Sequence, residues 1–200
     1  MSRRDRPDHF SQQARREGYV ARSVYKLEEL QKRFRLLRAG DRVLDVGAAP
    51  GSWSQYARKI IGRDGGITAV DLQPLPDLEG FPSVTTIEAD VFDEETVDRI
   101  AALGPYNLVM SDAAPSTTGN RTVDTARSAA LVEQVVTICE RVLVPGGAMV
   151  AKIFQGGDEQ ALLAMVRARF ESSRLVKPKA SRSESFETFL VGLKFQGVNH

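Results

Sequence analysis

Between residues 41 and 154, short apolar runs alternate with helical patterns, and four of the runs end in an aspartate or carry one beside the end. The runs are 42–46 with Asp45, 67–71 with Asp71, 84–90 with Asp90 and 106–112 with Asp112. A fifth run, 148–154, carries Lys152 instead. Strands that alternate with helices form a mainly parallel sheet covered on both faces. In open sheets of this kind, ligands bind beyond the carboxyl ends of the strands. One strand-end aspartate would be an ordinary turn residue; four in register point to a site.

The spacing predicts helices over 52–61 with Ser52 as N-cap, 94–102, 125–143 ending at Pro145-Gly146-Gly147, and 158–170 capped by Asp158. Two further strands are expected near 174–176 and 188–195. The segment between them is short and has no helical period, so they should form a hairpin with the last strand antiparallel. Residues 1–40 read as a basic arm and a helix whose Val24, Leu27, Leu30 and Phe34 form one apolar stripe. That stripe should pack on a core of residues 41–200, giving one α/β domain overall.

The net charge of +1 hides a segregation. Residues 1–40 hold 11 Lys and Arg against 5 Asp and Glu, whereas residues 41–166 hold 9 against 18. Residues 167–182 hold 6 against Glu171 alone. Two basic segments thus flank an acidic middle, as for a polyanion partner or, equally, two solvated faces. Cys139 is the single cysteine and sits among Val135, Val136, Ile138 and Val142, so it reads as core rather than disulfide or zinc ligand. His9 and His200 lie near the ends, which argues against histidine-based metal chemistry, and no metal is expected. No apolar run approaches a membrane span and residues 1–16 lack a signal-peptide core, so a soluble, cytoplasmic protein without a membrane partner is expected.

The turn after the first strand, Gly47-Ala48-Ala49-Pro50-Gly51, is not the G-x-G-x-x-G of dinucleotide binders, and Pro50 lacks the N–H a pyrophosphate would use. No phosphate-binding P-loop sequence is present either. Asp71, 20 residues beyond Gly51, stands where an acid takes ribose hydroxyls, and Asp90 can accept from an adenine amino group. Acidic surroundings suit an adenosine with a positive centre and no phosphates. S-adenosylmethionine meets that description.

The stretch Asp45-Val46-Gly47-Ala48-Ala49-Pro50-Gly51-Ser52-Trp53-Ser54-Gln55 resembles motif I of the FtsJ/RrmJ family of ribose 2'-O-methyltransferases. Ser111-Asp112-Ala113-Ala114-Pro115, Lys152-Ile153-Phe154-Gln155-Gly156 and Ser181-Arg182 with Ser185 and Glu187 resemble its later signatures, in order, and the likeness runs from about Ala14 to Leu193. It implies a class I, Rossmann-like methyltransferase sheet of seven strands with a reversed last strand. It also implies S-adenosylmethionine as cofactor, held by Asp45, Gly47, Ala48, Pro50, Gly51, Ser52, Trp53, Asp71, Asp90 and Asp112. Trp53 is read as a wall of the methionine pocket, against simple helix packing. The family's Lys-Asp-Lys-Glu tetrad falls on Lys26, Asp112, Lys152 and Glu187, the last chosen over Glu184 from its spacing to Ser181-Arg182. A ribose hydroxyl must lose its proton as it attacks the methyl, and a lysine base must be neutral, which burial and a neighbouring cation favour. Lys152 is therefore assigned as proton acceptor, Lys26 and Asp112 as orienting groups, and Glu187 as support.

Ser111–Ser116 lacks the aromatic of amino-group methyltransferases, and no cysteine lies at the strand ends for cytosine-C5 chemistry. The resemblance is greatest to the bacterial branch that methylates a uridine ribose in the A-loop of large-subunit (23S) rRNA, in the assembled 50S subunit. The tRNA anticodon-loop and mitochondrial rRNA branches, a non-catalytic RNA-binding assembly factor and a small-molecule O-methyltransferase are the alternatives. Arg15, Arg16, Arg22, Lys32, Arg33, Arg35, Arg174, Lys177, Lys179 and Arg182 are expected to contact RNA around the mouth of the cofactor pocket. A monomer is expected.

Overall fold

In the computed structural model, residues 9–75, 78, 82–182 and 185–197 are described. His200, Ser183 and Glu184 lie outside the described residues. The strands are β1 (Arg42–Val46), β2 (Gly66–Asp71), β3 (Val84–Glu88), β4 (Tyr106–Ser111), β5 (Leu143–Phe154), β6 (Phe170–Val176) and β7 (Glu187–Phe195). The helices are α1 (His9–Arg16), α2 (Val24–Phe34), α3 (Ser52–Ile61), α4 (Glu94–Leu103), α5 (Arg121–Val142) and α6 (Glu159–Arg167). All seven strands form one sheet in the order β3-β2-β1-β4-β5-β7-β6. The first five pair in parallel, and β7 runs antiparallel to both β5 and β6. Strand order reverses between β1 and β4, which opens a crevice at their carboxyl ends.

Successive strand residues point to opposite faces, and this sorts the apolar residues into two cores. Leu44, Val109, Met149 and Leu190 pack with Val135, Ile138 and Cys139 of α5. Their neighbours Val43, Leu108, Val150 and Phe189 pack on the other face with Leu27 and Leu30 of α2 and with Trp53 and Ala57 of α3. Leu27 and Leu30 are fully buried, each contributing about 1.5–3 kcal/mol. Val24 and Tyr25, at the start of α2, instead join Ala14 of α1 and Ala180 in a smaller cluster.

Several element boundaries differ from the expected ones. Helix α5 begins at Arg121 rather than 125, because the Asn120 side chain accepts from the Thr122 and Val123 N–H groups. Pro145-Gly146-Gly147 does not stop that helix. It lies inside β5, where the pairing with β4 shifts register between Tyr106 and Leu108. Helix α6 ends at Arg167 and Phe170 already belongs to β6. Ser52 is the first residue of α3 and not its cap; Gly51, at φ 110°, holds that position. The Ser52 hydroxyl instead shares a 2.8 Å hydrogen bond with that of Ser23, tying α3 to the start of α2. Among the described residues, no helix is long and apolar enough to cross a membrane.

Candidate active site

The turns after β1 and β4 lie against each other at the strand-order reversal. Gly47 has φ 70°, and a Cβ there would stand 2.3 Å from the Cβ of Ala113, so only glycine lets the two turns meet. The Gly47 and Ala48 N–H groups donate to the Val70 carbonyl at 2.8 and 3.1 Å. Asp71 is fixed through both carboxylate oxygens, which accept from the Ala49 and Gln73 N–H groups at 2.9 Å each. Asp90 accepts from the Phe92 N–H at 3.0 Å. Together these turns border a cavity of about 1060 Å³, with Asp71, Asp90 and Asp112 on its wall and Leu72, Phe92, Pro115 and Leu131 as apolar surface.

Beside Asp112 the tetrad is assembled. Lys152, in β5, donates to the Asp112 carbonyl at 2.6 Å and lies 3.2 Å from its carboxylate. Lys26, on the first turn of α2, lies 2.7 Å from Glu187 and 3.8 Å from Asp112. Glu187 opens β7 opposite Phe154, so three sheet strands and one helix converge on four charges. Burial alone would raise the Glu187 carboxyl; the Lys26 hydrogen bond and charge, with Lys152 nearby, hold it below its ordinary value.

The glycine-turn residues divide. Gly47 and Pro50 are on the cavity wall, as is Ala49. Asp45, Ala48, Gly51, Ser52 and Trp53 are not on that wall and are buried. Trp53 is not a pocket wall: it is 2% exposed, its indole N–H donates to the Ser23 carbonyl at 2.9 Å, and its ring stacks on Phe189. Gly51 faces Leu78 and Ala48 is buried in the second core. Asp45 is buried, with one oxygen accepting from the Ser54 hydroxyl at 2.7 Å and the other without a hydrogen-bond partner. Burial, with the charges of Asp112 and Asp71, pushes its carboxyl up to about 7 despite the Ser54 hydrogen bond.

Two contributors escaped the sequence reading. Arg127, on α5, reaches the cavity wall. Asp124, 3% exposed, accepts from the Thr118 N–H and hydroxyl at 2.8 and 2.9 Å and from the Gly119 N–H at 3.3 Å. It thereby pins the loop whose first half, Ala113–Ser116, forms one side of the cavity. An acid in the first turn of a helix was its only signal in the sequence.

The basic residues also divide. Arg22 donates to the Ala180 carbonyl at 2.6 Å, and the Lys179 N–H donates to Glu29 of α2 at 2.7 Å. Lys177 donates to the Ser185 carbonyl at 2.7 Å. The 177–182 segment, which includes the exposed Arg182, and the start of α2 therefore meet, and α1 joins them through Ala14, next to Arg15 and Arg16 in the chain. Among the basic residues at the end of α2, Arg35 does not border this mouth. Helix α2 runs away from it, and at 1.5 Å per residue Arg35 lies about 13 Å from Lys26 along the axis, beside Asp41 and Asn107 at the opposite ends of the strands. Arg174 is in the middle of β6, opposite Val191, away from the mouth.

The strand order, the reversed β7 and the acid-lined crevice at the β1–β4 reversal define a class I methyltransferase fold. A ribosomal RNA methyltransferase structure from Plasmodium falciparum has the same fold, with TM-score 0.77 and 24% identity over 90% of this chain and 100% of that one. So does Aeropyrum pernix fibrillarin, solved with natively bound S-adenosyl-L-methionine, with TM-score 0.63 and 17% identity over 86% and 76%. The FtsJ-like methyltransferase family model matches residues 19–195, and the chain belongs to that family. Ribosomal RNA large subunit methyltransferase E of Treponema denticola is 49% identical over 191 residues, 96% of each chain. The protein of that name from Nitratidesulfovibrio vulgaris (strain Miyazaki F) is 47% identical over 95% of each.

Proposed function

We propose that this methyltransferase transfers a methyl group from S-adenosylmethionine to a ribose 2'-hydroxyl of large-subunit (23S) rRNA. The cavity fits such a cofactor. Three carboxylates face it, apolar side chains line it, and Arg127 is the one lysine or arginine on its wall among the described residues. That donor set suits an adenosine with a cationic sulfur and no phosphates. Asp71 would hold the ribose diol, Asp90 the adenine amino group, and Asp112 the positive end. When bound, S-adenosylmethionine supplies an electrophilic methyl group.

The observation that carries the reading is the pair of contacts from Lys152 to Asp112. The Asp112 carbonyl accepts one Lys152 N–H at 2.6 Å, and the Asp112 carboxylate lies 3.2 Å away as an ion pair without a hydrogen bond. These contacts fix the amine beside the mouth, where it takes the proton of a ribose hydroxyl. Lys26, held by Glu187, stands 3.8 Å from Asp112 and fixes that carboxylate. Lys152 thus serves as the base, with Lys26, Asp112 and Glu187 orienting it and the hydroxyl.

The basic segments at the mouth, Arg15, Arg16, Arg22, Lys177, Lys179 and Arg182, contact phosphates and position the RNA without reading its sequence. The target is a uridine of the A-loop in the assembled 50S subunit, and the enzyme acts as a monomer in the cytoplasm. The test is transfer of a labelled methyl group from S-adenosylmethionine to unmethylated 50S subunits, naked 23S rRNA and tRNA. Label on one 23S ribose, resistant to alkaline cleavage at that nucleotide, is expected. Label on a base, or on tRNA alone, would exclude the assignment.

A further inference from the structure

The second basic cluster lies where the mechanism has no use for it. Residues 30–40 contain Lys32, Arg33, Arg35 and Arg38 and no acid. A second groove, of about 460 Å³, is lined by Arg35, Arg38, Asn107, Pro145, Gly146 and Lys194, with Asp41 also on its wall. It opens at the amino ends of β1, β4 and β5. Ala148 on its floor precedes Lys152 by four residues along β5, about 13 Å at the rise of a strand, so the groove faces away from the tetrad.

Not all the cations here are spoken for. Lys32 pairs with Glu28, and Lys194 with Glu171. Asp41 accepts from the Arg38 backbone N–H at 2.7 Å and feels the charge of its guanidinium without a hydrogen bond to it. Arg33 lies over the Phe34 ring. The guanidinium groups of Arg35 and Arg38 donate no hydrogen bond within the described structure. Arg35 also closes α2 in the left-handed conformation, φ 54°, with its N–H on the Gln31 carbonyl at 2.8 Å. Glycine fills that position without steric penalty. Capping therefore accounts for the backbone conformation and leaves the arginine side chain unexplained. Lys194, on the same groove, is left-handed too, at φ 59°.

We infer that Arg33, Arg35 and Arg38 form a second docking surface for RNA phosphates, which grips a segment of the large-subunit RNA distant from the ribose at the tetrad. This rests on the RNA-methyltransferase reading above. Guanidinium groups suit phosphate because they present paired donors in a rigid fork. Two separated phosphate contacts on opposite ends of the sheet select a structured RNA by the spacing of its strands, which a single mouth cannot do.

The test uses the full chain with naked 23S rRNA, assembled 50S subunits and S-adenosylmethionine. Arg35→Gly removes the charge and relieves the left-handed backbone, so thermal stability should hold or rise while RNA affinity falls. For Arg33→Gln/Arg35→Gly/Arg38→Gln, affinity for 23S rRNA should fall about tenfold or more, as for one lost charge-assisted contact. The log–log salt slope should flatten by up to about 0.7 for each lost single-strand phosphate contact. S-adenosylmethionine affinity and the rate at saturating RNA should stay unchanged. A triple variant with wild-type RNA affinity and salt slope overturns the inference. A loss on 50S subunits but not on naked RNA also overturns it, by assigning the groove to a ribosomal protein. A wild-type chain that methylates no RNA removes the underlying function and this surface with it.

Discussion

Lys26→Met takes the cation out of the ion pair at the mouth and from over the Phe189 ring while keeping an unbranched side chain. Glu187 is 8% exposed, and Lys26 at 2.7 Å is its nearest charge. Removing one partner of a buried pair is destabilising by about 3–5 kcal/mol. Lys152 still acts on Glu187, so the lower end, about 3 kcal/mol, is expected. For a chain of this size that is a fall of about 6–12 °C in Tm. The pH dependence gives the cause. In the wild type the folded Glu187 carboxyl sits below its ordinary 4.5. Its contribution is therefore present above 4.5 and lost as pH falls through the lower folded value. Without Lys26, burial dominates and raises the folded value above 4.5. The contribution then reverses, being present at low pH and lost as pH rises. The gap between wild type and variant should widen from pH 4 to pH 7.5. Urea unfolding at several pH values, with Lys26→Met/Glu187→Gln as partner variant, measures this. The double variant should recover most of the loss at pH 7.5. A gap that is the same at both ends of the range, or a double variant no better than the single, would refute the argument.

Lys152→Ala should lower single-turnover methylation by about 10²–10⁴-fold, the range for a lost general base, with S-adenosylmethionine still bound; a rate near wild type would remove Lys152 as the base. Asp71→Ala should weaken cofactor binding by about 1–3 kcal/mol, read by calorimetry on a folded protein, and unchanged affinity would take Asp71 out of the site. Asp45, pushed up to about 7 from 3.8, contributes stability that is full below 3.8 and lost as pH rises through 7. Asp45→Asn should therefore gain on the wild type between pH 5 and pH 8 in urea unfolding, and a difference independent of pH would show that Asp45 does not titrate there.

The alternation of strands and helices was legible because the two-residue period and the helical period are local signals. Val43 and Leu44 could be assigned to opposite faces, and each strand-end aspartate followed from the strand it ends. The tetrad was legible through the family resemblance: nothing local places Lys26 beside Glu187, which is 161 positions away in the chain. Boundaries failed where one side chain decided them, as Asn120 does for α5. The Pro145-Gly146-Gly147 turn was misread because a bulge inside a strand and a helix stop use the same residues. Trp53 failed for a different reason. Ala49 and Pro50 of the same turn border the cavity, but the Trp53 ring points to the second core, a choice made by Phe189 and Ser23. Arg35 was misplaced by treating α2 as a point, when its length carries that residue to the other side of the sheet.

The antiparallel placement of β7 between β5 and β6 also bears on how the protein is made. A ribosome emits β5 and β6 with no neighbour between them, and their facing edges stay unpaired until residues 187–195 emerge. Synthesis at about 5–20 residues per second leaves those edges open for seconds, the kind of exposure that invites pairing with another chain. Glu187 arrives on the same strand, so Lys26 lacks its nearest partner until the sheet closes. A nascent chain therefore acquires its tetrad and its sealed sheet in a single late event, and partly synthesised molecules should neither methylate nor resist proteolysis.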